Sequence, residues 1–289
     1  MTSDSGRFVV AVASGNGGTG KTTVATGLAF VAADAGLPVQ VVDCDVEAPN
    51  VHLFLKPDVS NTDVASVPVP RVDEEKCDEC GTCGELCQYS AIVSLKTKPL
   101  VFGELCHGCG GCTAVCPRGA ITEEDRHTGT ISEGAAGAIL YVGGTLDVGE
   151  AMAPPVIRQT RKRVSHSGLV ILDAPPGASC PVVTAIRGAD LVVLVAESTP
   201  FGLHDLEIAV ATVRKLMLPF GVVINRASPE RGRVRSWCAE AGVEVIAEIA
   251  DDRTVAEVYA TGGTVAREVS HVRASLEQLL AAIQKRRAS

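Results

Sequence analysis

The chain has 289 residues, 46% of them apolar and only 3% aromatic, with 34 acidic against 26 basic side chains and a net charge of −8. That length holds one large or two modest domains, and the acidic balance argues against a broad nucleic-acid footprint, which needs clustered Lys and Arg. No stretch free of Asp, Glu, Lys and Arg exceeds 13 residues, short of the ~20 apolar residues of a spanning helix.

Met1–Arg7 lacks the basic start and small-residue cleavage site of a secretion signal. A soluble, cytoplasmic protein is expected, with neither membrane nor nucleic acid as partner. Along the chain, short apolar runs alternate with helical patterns, as in parallel α/β proteins. Strands are predicted at Phe8–Ser14, Val39–Asp43, Leu169–Asp173, Leu191–Ala196, Gly221–Asn225 and Val243–Ile249. Val and Ile occupy both alternating sets of positions, as when helices cover both faces of a sheet.

Helices are predicted at Thr22–Ala35, Pro155–His166, His204–Leu216, Arg231–Ala241 and Thr254–Thr261. Val265–Ile283 reads as one further amphipathic helix, with Val265, Val269, Val272, Leu276, Leu279 and Ile283 on a stripe. Its basic end, Lys285-Arg286-Arg287, suits a membrane surface, but the mixed charge of its polar face favours a helix closing the core. From Lys56 to Val72 the composition turns to Ser, Thr, Val and Pro, an extended linker into a small insert. Two domains are expected, one from residues 1–68 and 126–289 and an insert at 69–125. Residues 71–125 hold ten acidic and five basic side chains, so −5 of the net −8 lies there.

Between the first strand and first helix stands Gly15-Asn16-Gly17-Gly18-Thr19-Gly20-Lys21-Thr22, followed by Thr23. It has the Gly-x4-Gly-Lys-Thr form of a phosphate loop. Backbone N–H groups turn inward around phosphate oxygens, Lys21 reaches the terminal phosphates and Thr22 ligates Mg²⁺. A bare glycine turn is the alternative, disfavoured by the strand–loop–helix context. Asp43, Asp45 and Asp173 close two core strands at the ends where ligands of parallel sheets bind. Asp173 can hold the metal through water, and Asp43 or Asp45 can position the attacking water.

Eight of the eleven cysteines crowd into forty residues. Cys77-x2-Cys80-x2-Cys83-x3-Cys87 is followed by Cys106-x2-Cys109-x2-Cys112-x3-Cys116-Pro117. This is the spacing of two-cluster bacterial ferredoxins, in which the fourth cysteine of each run serves the other cluster. The expected sets are Cys77, Cys80, Cys83 with Cys116, and Cys106, Cys109, Cys112 with Cys87. Zinc also uses two-residue gaps, but two matched fourfold runs favour a pair of 4Fe-4S clusters. Cys44, Cys180 and Cys238 read as small buried thiols.

Ser14 to Thr23, Asp43-Cys44-Asp45 and Asp173-Ala-Pro-Pro-Gly177 resemble the MinD/ParA/Mrp group of P-loop ATPases, relatives of the nitrogenase iron protein. Glu197 to Asp205 and Val223-Ile-Asn225-Arg226 are similar to the branch of that group with an inserted ferredoxin domain. The resemblance implies a mostly parallel P-loop NTPase sheet with helices on both faces, plus a small inserted α+β bacterial-type ferredoxin domain. It implies ATP and Mg²⁺ as ligands, catalytic roles for Lys21, Asp43 and Asp45, and Asn225 near the adenine; Arg226 is a further nucleotide-site candidate that could supply a cation. It also implies switch loops at Asp43–Asn50 and Asp173–Cys180 and a nucleotide-dependent homodimer. Members usually carry a second lysine after the first loop glycine. Here Asn16 stands in that place, so slow hydrolysis is expected.

The insert is wired between the segment after Asp45 and the strand of Asp173. The combination points to an ATPase coupling nucleotide binding and hydrolysis to electron transfer, with an acidic insert that suits a basic redox partner protein. A cluster-carrier ATPase is the alternative; in related carriers the resemblance implies a C-terminal Cys-x-x-Cys, where this chain has only Cys238. A ParA- or MinD-type positioning ATPase has no use for eight thiols.

Overall fold

The structure, a computed structural model, describes residues 6–95, 97–228, 232–261 and 263–288. β1 (Arg7–Ala13) leads through the glycine loop into α1 (Lys21–Asp34), β2 (Val39–Asp43), the short α2 (Val51–Leu55) and the long β3 (Asp58–Val72). Then come α3 (Thr82–Leu86), β4 (Ile92–Val93), β5 (Leu100–Val101), a 3-10 turn at Gly103–Leu105 and α4 (Gly111–Val115). β6 (Ile121–Ala136), β7 (Ile139–Leu146), α5 (Ala153–Arg161), β8 (Gly168–Asp173) and α6 (Cys180–Ile186) follow. The chain continues through β9 (Leu191–Glu197), α7 (Pro200–Lys215), β10 (Phe220–Ala227), α8 (Arg233–Glu240) and β11 (Val245–Ala250). It closes with α9 (Arg253–Ala260), α10 (Val265–Glu268) and α11 (Ser270–Arg287).

The contacts divide the chain into two units, one of Met1–Thr62, Ile131–Thr145 and Ile157–Ser289, the other of Asp63–Thr130 and Leu146–Val156. The main sheet has the order β11-β10-β9-β1-β8-β2-β7-β6-β3, and from β11 to β7 its neighbours are parallel. β2 and β8 are buried along their whole length, so helices cover both of their faces. That is why their Val and Ile runs do not alternate with polar residues. On one face Leu28 of α1 joins Leu276 and Leu279 of α11 in the main core cluster.

In the second unit each cysteine run builds the same short piece. α3 starts after Gly81 and α4 after Gly110, both caps being left-handed at φ +83° and +70°. Cys83 and Cys112 are the second residues of these helices, and Cys87 and Cys116 are their extended C-caps. The two helices pack on each other, and β4 pairs antiparallel with β5 between them.

Several expectations are corrected. The stretch from Lys56 to Val72, expected as an extended linker, is mostly the strand β3, with Ala65, Val67 and Val69 buried at alternating positions. The second unit contains the expected 69–125, but by contacts it runs from Asp63 to Thr130 and also takes in Leu146–Val156. The last stripe is two helices rather than one, broken where Val269 turns extended (φ −115°, ψ 103°) yet stays buried. α7 begins at Pro200, four residues early, because Thr199 Oγ1 accepts from Gly202 N at 3.0 Å and caps it. α5 is shorter than expected, ending at Arg161. Arg231 and residues 1–5 lie outside the described residues. No helix among the described residues is long and apolar enough to cross a membrane, and the α11 stripe is buried against α1 and β11.

Candidate functional site

The glycine loop follows directly from β1, and its geometry depends on glycine. Gly20 is the left-handed N-cap of α1 at φ +91°, and a Cβ there would lie 2.3 Å from Asn225 Nδ2. No side chain caps α1 at that position. Its first N–H groups and its positive dipole end therefore remain for an anion. Lys21 is buried, and its Nζ donates to the Asn16 carbonyl at 3.4 Å. Burial pulls the Lys21 ammonium below its ordinary range, while Asp173 and Asp45 oppose the shift. Asn16 is exposed, and its Oδ1 accepts from Gly17 N at 2.7 Å, so the side chain folds back on its own loop.

The three aspartates arrive from adjacent strands. Asp43 and Asp173 are register partners on β2 and β8. Asp43 is fully buried and accepts backbone N–H from Asp45 at 3.1 Å and from Asn50 and Val51 at 3.0 Å. Its carboxylate pins the loop between β2 and α2. Burial, then the Asp173 charge, raises its pKa well above the carboxylate range. Asp45 is half-buried; desolvation raises it and Lys21 pulls it back. Asp173 is pushed up to about 7 by burial, against the pull of Thr22 and Lys21.

Thr22 Oγ1 donates to Asp173 Oδ2 at 2.6 Å, and Asp173 Oδ1 is buried with no partner. Asp45 and Asp173 both face Lys21, and Asp43 adds a further buried carboxyl beside Asp173. An orphaned oxygen, a hydroxyl and carboxylates form an all-oxygen donor set, which fits a hard divalent cation such as Mg²⁺. Thr22 and Asp173 are the residues placed to hold it.

Beside the loop lies a cavity of about 630 Å³ lined by Gly20, Thr23, Asn225, Arg226 and Tyr259 among others. Its size suits a small-molecule ligand. Asn225 Nδ2 donates to the Thr19 carbonyl at 2.8 Å, tying β10 to the loop. Arg226, left-handed at φ +52°, donates from its guanidinium to Glu197 Oε1 at 2.6 Å. The Tyr259 hydroxyl bonds Thr23 Oγ1. Sequence reasoning missed Tyr259, which α9 delivers from 236 positions away and which no local motif marks.

In the second unit, Cys83 and Cys106 are buried, Cys80 and Cys109 are exposed, and the other four are intermediate. Cys116 packs with Cys83 around Ile92 and Ile121, and Cys87 packs with Cys106 around Val69 and Ala91. The fourth residue of each run thus reaches the other run, although Cys87 and Cys112 also touch the first cluster. Backbone N–H groups point at sulfur: Gly108 N lies 3.4 Å from Cys106 Sγ and Ala120 N 3.3 Å from Cys116 Sγ. Burial raises the Cys87 thiol, but four backbone N–H groups, from Ser90 to Ile92 and Tyr89, outweigh it and hold the pKa low. Amide donors that stabilise thiolate are what a sulfur-ligated group requires. As they stand, no three His, Cys, Asp or Glu side chains among the described residues are placed to hold a metal ion. Cys44 and Cys238 are buried as expected, but Cys180 is exposed.

The sequence profile of the CobQ/CobB/MinD/ParA nucleotide binding domain matches residues 10–265. An uncharacterized protein of Methanocaldococcus jannaschii is 34% identical over 221 residues, 75% of this chain and 77% of its own length. An iron-sulfur cluster carrier protein of Pyrococcus abyssi is 26% identical over 250 residues, 84% of this chain and 70% of its own. The septum site-determining protein MinD of Pyrococcus horikoshii, complexed with Mg-ADP, superposes with a TM-score of 0.59 at 18% identity, covering 96% of each chain. That likeness is one of fold.

Proposed function

The chain belongs to the CobQ/CobB/MinD/ParA nucleotide-binding family of P-loop ATPases, and from that premise we propose that it couples ATP binding and hydrolysis to electron transfer through two 4Fe-4S clusters. Lys21 and the N–H groups of α1 grip the terminal phosphates, Asn225 and Arg226 flank the base, and Thr22 and Asp173 hold Mg²⁺. The metal supplies neutralisation of the phosphate charge. Asp45 positions the attacking water, because the Asp43 carboxylate is already engaged by three backbone N–H groups.

The observation that carries the redox reading is the doubled cysteine piece, repeated helix for helix with the same capping glycines. Cys77, Cys80, Cys83 and Cys116 would hold one cluster and Cys106, Cys109, Cys112 and Cys87 the other. When bound, such clusters supply one-electron transfer. The chain enters this unit after β2, which carries Asp43, and returns through β7, the parallel neighbour of β2. That wiring suits nucleotide control. The net −5 of residues 71–125 suits a redox partner protein with a basic face. A nucleotide-dependent homodimer in the cytoplasm belongs to the same proposal.

The Pyrococcus abyssi relative favours a second reading, a carrier of iron–sulfur clusters. Anaerobic purification with iron, sulfide and zinc analysis, followed by EPR-monitored redox titration with and without Mg-ATP, separates the cases. Electron transfer predicts two reversible clusters that stay bound and respond to ATP. Clusters that leave for an apo-acceptor support the carrier, and zinc without sulfide ends both readings.

A further inference from the structure

The nucleotide reading leaves Tyr259 unexplained. Its hydroxyl bonds Thr23, and its ring meets the Phe54 ring edge-on, with centroids 5.3 Å apart and planes at 75°. Tyr259 forms a wall of the cavity beside Gly20 and Asn225, whereas Phe54 does not line that cavity. Behind Tyr259, among Thr23, Phe54 and Thr26, only about 10 Å³ of free space remains. With room for no more than about one water behind the pair, a shift of one ring presses on the other.

Phe54 sits on α2, whose ends are both conspicuous. At its start, Asn50 and Val51 give their N–H groups to Asp43 Oδ2. At its end, Lys56 is a non-glycine residue at φ +48° and donates its N–H to the His52 carbonyl at 2.9 Å. A left-handed Lys costs energy and persists only where its surroundings hold it. Asp58 then opens β3, the strand by which the chain leaves the first unit.

We propose that Tyr259 is a positioning residue that reports an occupied base cavity to α2 through Phe54, so that α2 responds to base and phosphate separately. The phosphate acts at the front of α2 through the loop pinned by Asp43. The base acts on its flank through the two rings. A triphosphate without a base therefore sets one end of α2 only, and full repositioning of the Lys56 hinge needs a nucleotide. This deepens the nucleotide reading and rests on it, but it is independent of the clusters.

Amide hydrogen exchange of the full chain, with Mg-ATP or with Mg-tripolyphosphate as the base-free probe, tests it. Titration calorimetry of the parent with Mg-ATP checks the underlying nucleotide reading by itself. With either probe, exchange should slow between Cys44 and Val51. Only Mg-ATP should slow the Leu53–Lys56 amides further, by severalfold. Phe54→Leu should keep Mg-ATP affinity yet lose that ATP-specific protection. Tyr259→Phe, which keeps the ring edge, should retain it. Equal protection of Leu53–Lys56 by both probes in the parent would overturn the proposal, and so would persistence of the ATP-specific part in Phe54→Leu.

Discussion

Thr22 Oγ1 and Asp173 Oδ2 are joined at 2.6 Å, and the second Asp173 oxygen is left buried without a partner. Burial pushes Asp173 up to about 7 from an ordinary carboxyl value near 3.8. The folded chain therefore keeps a proton that the unfolded chain has released. By linkage, the contribution of this group to stability falls as pH rises from about 4 through about 7. Buried Asp43 acts in the same direction. Without nucleotide or Mg²⁺, the melting temperature should drop between pH 5 and 8 more in the parent than in Asp173→Asn. Mg-ATP, which needs the ionised carboxylate, should recover more at pH 8 than at pH 5. Thermal melts on that grid decide it, and identical slopes in the two proteins would refute the assignment.

Lys21 is the cation that faces Asp45 and Asp173. Lys21→Ala removes a charge-assisted contact to phosphate of about 1.5–3 kcal/mol, so ATP affinity should fall by at least roughly tenfold. The cysteine unit lies in a different part of the chain, and its iron content should not change. Calorimetry and metal analysis of one preparation check both statements.

Asn16 folds back onto Gly17 N and brings no charge to the transition state. A cation supplied in trans is worth on the order of 10³–10⁵ in rate for comparable phosphoryl transfers. Basal hydrolysis should be slow, and Asn16→Lys should raise single-turnover hydrolysis with little change in ATP affinity. A parent already as fast as the lysine variant would show that position 16 does not govern the chemistry.

In the second unit, Arg126 forks onto Glu150, with Nη2 to Oε1 at 3.1 Å and side chains 22% and 6% exposed. Arg126→Ala strands a buried carboxylate. The loss should be about 2–3 kcal/mol, below the ~3–5 of a fully buried pair because Arg126 keeps some solvent. Replacing both residues with Met and Leu should recover most of it. Urea unfolding of the single and double variants measures the difference, and additive losses would contradict a true pair.

The phosphate loop, the Asp43-Cys44-Asp45 pair and the paired cysteine runs were legible in the sequence because each is defined by residues a few positions apart, and Asp173 because it closes an apolar strand run. Backbone reach alone then fixes what Gly15–Thr22 or Cys77–Cys87 can surround, and the Val and Ile runs of β2 and β8 announce strands covered on both sides. What the sequence left open was decided by contacts between distant segments. Asp43 and Asp45 look equivalent in the chain, yet only the fold turns three N–H groups onto Asp43 and leaves Asp45 beside Lys21. The Val265–Ile283 stripe scans as one helix, but burying it makes Val269 turn extended. Tyr259 reaches Thr23 and Phe54 only through the packing of α9. Motif chemistry is local and survives in a one-dimensional text, whereas desolvation, hydrogen-bond competition and ring contacts exist only once the chain has closed on itself.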